Sequence, residues 1–287
     1  MSFRKFKQAL YKRIIFSYIR ISAPFRLRPR KKLRLETDIV SHCNLNCKNC
    51  NHFSSLVDEG FVDPDELERD FARLSELAGR NNENIDLMGG EPLLHPEITK
   101  IAEIARKYFD GRINIVTNGL LLTKMDKEFW QVCEKNRITI IVTSYPVNLD
   151  KKSIRRKAKQ YSVKLKMRAQ VMNVHTWCRL PKDIHGKQDI MKNIKLCLVA
   201  NYCIFLKDGK LSTCCLPLVA ERFNNFFAEK FEVMENDFID IYKAENIEEI
   251  YNFLCKPIPF CRYCKLKQWE VGIEWGISKR EISEWID

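Results

Sequence analysis

Ser41-His-Cys-Asn-Leu-Asn-Cys-Lys-Asn-Cys50 decides how this chain is read. Three residues separate Cys43 from Cys47 and two separate Cys47 from Cys50. One short loop can therefore gather three thiolates around a cubane iron–sulfur cluster and leave the fourth iron without a protein ligand. With nearby His52 the same thiolates could instead complete a tetrahedral zinc site. Asn44, Asn46 and Asn49 suit either loop, because Asn tolerates left-handed backbone and frees amides for sulfur.

Outward from this loop the chain alternates strands and helices. Residues 33–40 read as a strand that feeds the cysteines, and residues 64–79 as a helix opened by Asp63, with Asp65 and Glu66 in its first turn. Strands follow at 84–88, 112–117, 139–144 and 163–167, with helices at 97–108, 124–135 and 151–160 between them. Repeated strand–helix units imply a parallel α/β sheet, an open or partial barrel whose site lies at the C-terminal strand ends.

Met88-Gly-Gly-Glu-Pro92 falls at such an end. Its glycines permit close backbone approach and Glu91 offers a carboxylate to an ammonium group; taken alone, it is as well read as a turn. Together with the cysteine loop, it resembles the radical S-adenosylmethionine (radical SAM) enzymes. That resemblance implies a four-iron cluster on Cys43, Cys47 and Cys50, its open iron chelating S-adenosylmethionine. It also implies that Gly89, Gly90, Glu91 and Pro92 bind the methionine amino group. Asn118, in Val116-Thr-Asn-Gly119, and Ser144, in Thr143-Ser-Tyr-Pro146, match looser positions facing the cofactor, although ordinary turn chemistry also accounts for both. Two departures stand out: Tyr145-Pro146 replaces the acid that follows this serine in many peptide-modifying relatives, and Asn49 replaces an aromatic often found before the third cysteine.

Seven of the twelve cysteines lie between residues 197 and 264. Asp208-Gly209 reads as a hairpin turn that brings the cysteines on either side of it towards Cys261-Arg-Tyr-Cys264. The pattern resembles the auxiliary-cluster domains called twitch and SPASM, by which Cys197, Cys214, Cys261 and Cys264 would hold a second four-iron cluster. Cys203 could replace Cys197, and only one of the adjacent Cys214 and Cys215 should face the site if they lie on a strand. Four thiolates also suit zinc. Cys133 reads as a packed helical thiol and Cys178 as part of a loop. The aromatic tail, 269–285, reads as a terminal helix or a cap over the site.

The net charge of +12 is uneven: residues 1–32 hold eleven Lys and Arg and no acid, leaving 38 bases against 37 acids beyond them. A nearly neutral body is not what a nucleic-acid channel requires. Phe3, Phe6, Leu10, Ile14, Tyr18 and Ile21 fall on one helical face among those bases, so the arm either meets an anionic membrane surface or packs on its own domain. No apolar run is long enough to span a membrane and no signal peptide is evident; with so many thiols this points to a reducing cytoplasm, with peripheral membrane contact through the arm.

The expected architecture is a partial (β/α)6 TIM-like barrel with a small C-terminal cysteine-rich iron–sulfur domain. Its parts are a basic extension (1–32), a radical SAM core (33–190) and an auxiliary-cluster segment with tail (191–287). By resemblance the chain is an oxidoreductase that generates a 5′-deoxyadenosyl radical, fed by flavodoxin or ferredoxin. Its layout is similar to members associated with bacterial surface-polysaccharide synthesis, which implies a sugar or glycan precursor as substrate. A peptide maturase and a zinc- or cluster-stabilised binding module are the alternatives.

Overall fold

The computed structural model describes residues 27–80, 82–169 and 173–286, with residues 9, 10, 13, 14, 17, 18, 21, 22 and 24. Strand β1 (Arg34–Val40) carries the cysteine loop at its C-terminal end. It is followed by α1 (Pro64–Ala78), β2 (Asn84–Gly89), α2 (Ile98–Tyr108), β3 (Arg112–Thr117), α3 (Lys127–Lys135), β4 (Ile138–Ser144), α4 (Lys151–Gln160) and β5 (Lys164–Ala169). The helix starts follow from short side chains that satisfy free backbone donors. Asp63 accepts from Asp65 N, Asp126 from Phe129 N and Asp150 from Ser153 N. Capping by Asp126 also shifts the start of α3 past the expected residue 124.

Strands β1 to β5 are parallel and paired in chain order. The chain then adds β6 (Thr176–Arg179), α5 (Ile190–Leu196), β7 (Ile204–Lys207), β8 (Lys210–Ser212), α6 (Leu216–Phe227), β9 (Ile239–Asp240), α7 (Ile247–Leu254) and β10 (Glu270–Glu274). The sixth parallel strand is not beyond β5. It is β7, which pairs with the other edge of β1 through Leu35–Ile204 and Glu36–Phe205. Leu35, Ile39 and Val40 are fully buried, and a strand buried on both faces needs partners on both edges. The eight-stranded order is β5-β4-β3-β2-β1-β7-β8-β9. The hairpin between β7 and β8 turns at Asp208 and Gly209, both at positive φ (50° and 69°), as a two-residue connection requires. Asp70 on α1 holds that turn by accepting from Gly209 N at 2.8 Å.

Alternation divides the parallel sheet into two faces. Ile85, Leu87, Ile113, Ile115, Ile140 and Val142 pack under the helices. The opposite face is polar, and the strand register aligns Glu36, Asp86, Asn114, Thr139 and Lys164 in one row across it.

Two expectations change in the C-terminal third. Cys178 lies on a strand rather than a loop: β6 pairs antiparallel with β10, Cys178 opposite Val271. The tail is not a terminal helix either; after β10 it runs extended to a short 3-10 turn at Ile282–Glu284. Phe3 and Phe6 lie outside the described residues, while Leu10, Ile14, Tyr18 and Ile21 are 49–73% exposed on helical backbone, so they do not pack on the body.

Gly89 and Gly90 bring β2 against the cysteine loop. Gly89 has φ 130°, and a Cβ on Gly90 would sit 1.7 Å from the His42 carbonyl oxygen. The close approach these glycines permit is thus to protein backbone. Gly90→Ala is expected to cost about 3 kcal/mol or more in urea unfolding, because rigid backbone must move. Gly276→Ala, with nothing within 4 Å of its Cβ, should stay within about 0.5 kcal/mol of the parent.

Candidate radical site and second thiol cluster

The cysteine loop is fixed by hydrogen bonds from distant segments. Gly90 N donates to Val40 O at 2.8 Å and Glu91 N to His42 O at 3.0 Å, so the Gly-Gly-Glu-Pro turn lies directly against it. Asn46 and Asn49 adopt positive φ (48° and 60°), the left-handed backbone anticipated for them; Asn44 instead accepts from Asn118 Nδ2 at 2.7 Å. The tail closes the other side. Lys48 N donates to Gly276 O and Ser278 N to Asn46 O, both at 2.8 Å. Trp275 Nε1 donates to Cys47 Sγ at 3.2 Å, and Trp285 Nε1 to Cys50 O at 2.9 Å. Tyr145 and Trp177 pack with Trp275 into an aromatic wall over this loop. Sequence reasoning left Trp275 as generic tail; only the register of the tail against the loop identifies it.

Glu91 is completely buried. Its carboxylate accepts from Thr117 Oγ1 at 2.5 Å, Leu93 N at 3.1 Å and Asn118 N at 2.8 Å. Burial nonetheless pushes its pKa up to about 7, because three donors only partly replace water. Pro92 begins the 3-10 turn that follows. Asn118 is committed to Glu91 and Asn44, and Ser144 is buried at the end of β4.

Behind the loop lies a buried charged network. Arg222 Nη1 donates to Asp38 Oδ2 at 2.8 Å and to His52 O at 2.9 Å, and His52 Nδ1 meets Asp38 Oδ1 at 2.9 Å. Burial alone would raise Asp38 and lower His52, but their mutual attraction, with Arg222 on Asp38, outweighs it: Asp38 is lowered and His52 raised. The imidazole also bonds Cys215, so it is committed away from Cys43, Cys47 and Cys50, and the zinc set of three thiolates and His52 is not assembled. Among the described residues no three His, Cys, Asp or Glu side chains converge on a single ion, whereas a cubane spreads its thiolates over separate irons. Burial pushes Cys43 up to about 11 and Cys47 higher still. Burial thus favours the protonated thiols, whose protons a metal would have to displace.

A second group forms where α5, the start of α6 and the 3-10 turn Pro259–Tyr263 meet. Cys197, Cys214, Cys261 and Cys264 line one cavity with Asn51, the residue after Cys50. Burial raises Cys214 and Cys261 strongly and Cys264 to about 12, with mutual repulsion among the four adding to it. Cys203 is drawn away by a hydrogen bond to Glu36, which leaves Cys197 as the cysteine before the hairpin. Cys215 borders the cavity but turns to His52. Cys133 is packed within α3, and Cys255 Sγ donates to Asn252 O.

Residues 38–173 match the model of the Radical SAM superfamily. Just under half of the chain is thus similar to a radical SAM domain. Similar curated proteins include a probable GTP 3′,8-cyclase of Thermoplasma volcanium, 34% identical over 93 residues (32% of this chain and 28% of that protein). Another is the AdoMet-dependent heme synthase of Methanosarcina barkeri, 32% identical over 108 residues (37% and 29%). The chain spans less than a third of the length of these curated relatives. Among solved structures, BtrN in complex with AdoMet and 2-DOIA shares the fold at TM-score 0.50 and 18% identity, over 80% of this chain and 92% of that one.

The raised Glu91 pKa makes a testable contribution to stability. A carboxyl raised from 4.5 to about 7 stabilises the fold fully below pH 4.5, and that stability is lost as pH rises through 7. The curves of unfolding free energy against pH for parent and Glu91→Gln should therefore diverge between pH 5 and 7, by up to about 1.4 kcal/mol per unit. Parallel curves would show that Glu91 titrates normally.

Proposed function

We propose that the chain is a radical SAM oxidoreductase with two four-iron clusters, one on Cys43, Cys47 and Cys50 and the other on Cys197, Cys214, Cys261 and Cys264. The observation that carries this reading is the three-thiol loop held against Gly89–Pro92 while His52 is engaged elsewhere. The second donor set fits because four thiols share one cavity, with the fully buried Lys182 bridged to Cys264 of that set. When bound, the first cluster supplies the electron that cleaves S-adenosylmethionine into methionine and a 5′-deoxyadenosyl radical, which takes a hydrogen atom from substrate.

The chain's own residues prepare this chemistry. Gly89 and Gly90 set the distance between turn and loop, and Glu91 fixes the turn from within. In this reading Gly89, Gly90, Glu91 and Pro92 form the seat of the methionine ammonium group, with Asn118 and Ser144 at its border. Trp275 donates a hydrogen bond to Cys47 and, with Tyr145 and Trp177, keeps bulk water from the thiols. Residues 191–287 then act as the auxiliary-cluster part, and an acidic one-electron carrier such as flavodoxin or ferredoxin supplies reducing equivalents.

For substrate, a sugar or glycan precursor remains the preferred reading over a peptide. Its support is the overall match in length to BtrN, solved with AdoMet and 2-DOIA. Release of a crosslinked or oxidised peptide product would replace it with the maturase reading.

Anaerobic reconstitution should load about eight irons in the parent, as two four-iron clusters require. Cys43→Ala should abolish formation of 5′-deoxyadenosine, and Cys261→Ala should remove the second cluster while sparing the first. Zinc at both sites without cofactor cleavage would refute the enzyme reading in favour of a metal-stabilised binding module.

The arm is read as a contact with an anionic membrane surface, since Leu10, Ile14, Tyr18 and Ile21 are exposed within a segment of eleven bases and no acid. Among the described residues no helix is long and apolar enough to cross a membrane. The chain should float with phosphatidylglycerol vesicles and not with phosphatidylcholine, and Ile14→Glu should reduce flotation several-fold. A parent chain that stays in solution with anionic vesicles would end this reading.

A further inference from the structure

Lys182 is among the largest fully buried side chains of the protein, at 1% exposure. Its Nζ donates to Asn51 Oδ1 at 2.9 Å and to Leu180 O at 2.7 Å, both neutral acceptors. The groups that act on its charge are the thiols of Cys264, Cys215, Cys178 and Cys214; no carboxylate is among them. An ammonium taken out of water without an anion is unfavourable, so such a residue either gives up its proton or has negative charge supplied from another source. Burial pulls the Lys182 pKa down, and the neighbouring sulfurs oppose that shift.

The position is also rigid. Lys182 N donates to Trp285 O at 2.7 Å, Asp183 N to Tyr263 O at 2.7 Å and Lys265 N to Pro181 O at 3.0 Å. The lysine backbone is thus clamped between the tail and the Cys261–Cys264 turn. Asn51 follows Cys50 directly and lines the four-thiol cavity. Lys182 therefore touches the radical-site loop through its bond to Asn51, while its backbone bridges antiparallel to Cys264 of the second thiol set.

We propose that Lys182 is a positioning residue shared by the two thiol sites: its positive charge balances the anionic four-thiolate site and raises that site's reduction potential, while its hydrogen bond to Asn51 ties that site to the radical-site loop. This rests on the two-cluster reading. An iron–sulfur centre held by four thiolates carries net negative charge, and a nearby fixed cation favours its reduced form. Removing the cation leaves the ligands in place and makes reduction harder.

The test uses anaerobically reconstituted full-length protein, with iron and sulfide quantitation and dithionite titration followed by electron paramagnetic resonance. Cys43→Ala isolates the second site. On that background Lys182→Met and Lys182→Gln should keep four irons and titrate at a more negative midpoint potential than the Lys182 parent. Lys182→Arg, which keeps the charge, should stay near the parent. If Lys182→Met and Lys182→Gln lose the four irons and Lys182→Arg keeps them, the requirement for charge is shown equally. Unshifted potentials in the two neutral variants, or loss of iron in all three, would overturn the inference. A full-length parent that loads only four irons would instead overturn the two-cluster reading beneath it.

Discussion

The backbone of residues 40–50 cannot satisfy itself, and the rest of the molecule is organised around that requirement. A short loop with three buried or half-buried cysteines has few internal hydrogen bonds, and each unpaired buried polar group would be costly. Its partners come from β2, from the start of the segment after β3, and from the tail. Each reaches the loop for a local reason: two glycines without Cβ atoms, an asparagine at a strand end, and an extended run beside Trp275. The loop is shaped by its surroundings before any cofactor enters.

Electrostatics follow the same division. The Asp38–His52–Arg222 network lies behind the loop, fully provided with partners, whereas the thiols in front are held protonated by burial. Charge is settled where it supports the scaffold and withheld where a metal must bring its own. Lys182 departs from this pattern, since its fully buried amine meets only neutral hydrogen-bond acceptors and burial pulls its pKa down against the opposing pull of neighbouring thiols.

The alternating half was legible because its signals are local. Asp63 caps the helix it announces and Asp208-Gly209 turns where expected, whereas the unforeseen cap at Asp126 moves the start of α3. The radical-site motifs were legible as well, being short and at strand ends. What the sequence did not disclose depends on contacts between remote segments. Nothing in Ile204-Phe-Leu-Lys207 marks β7 as the neighbour of β1, because any short apolar strand fits an open edge. The tail has aromatic residues but no clear period, and its extended form is imposed by β6 and the cysteine loop. That Cys197 lines the four-thiol cavity while Cys203 does not likewise depends on Glu36, a partner far away in sequence.

The indole bonds that close the loop have a consequence for biosynthesis. Trp275 and Cys47 are 228 positions apart, and Trp285 and Cys50 are 235 apart. While the ribosome is still making the intervening chain, the three thiols have β1 and β2 beside them but no lid. Until synthesis has passed Trp285, the loop lacks both indole donors and the aromatic wall that covers it in the finished fold.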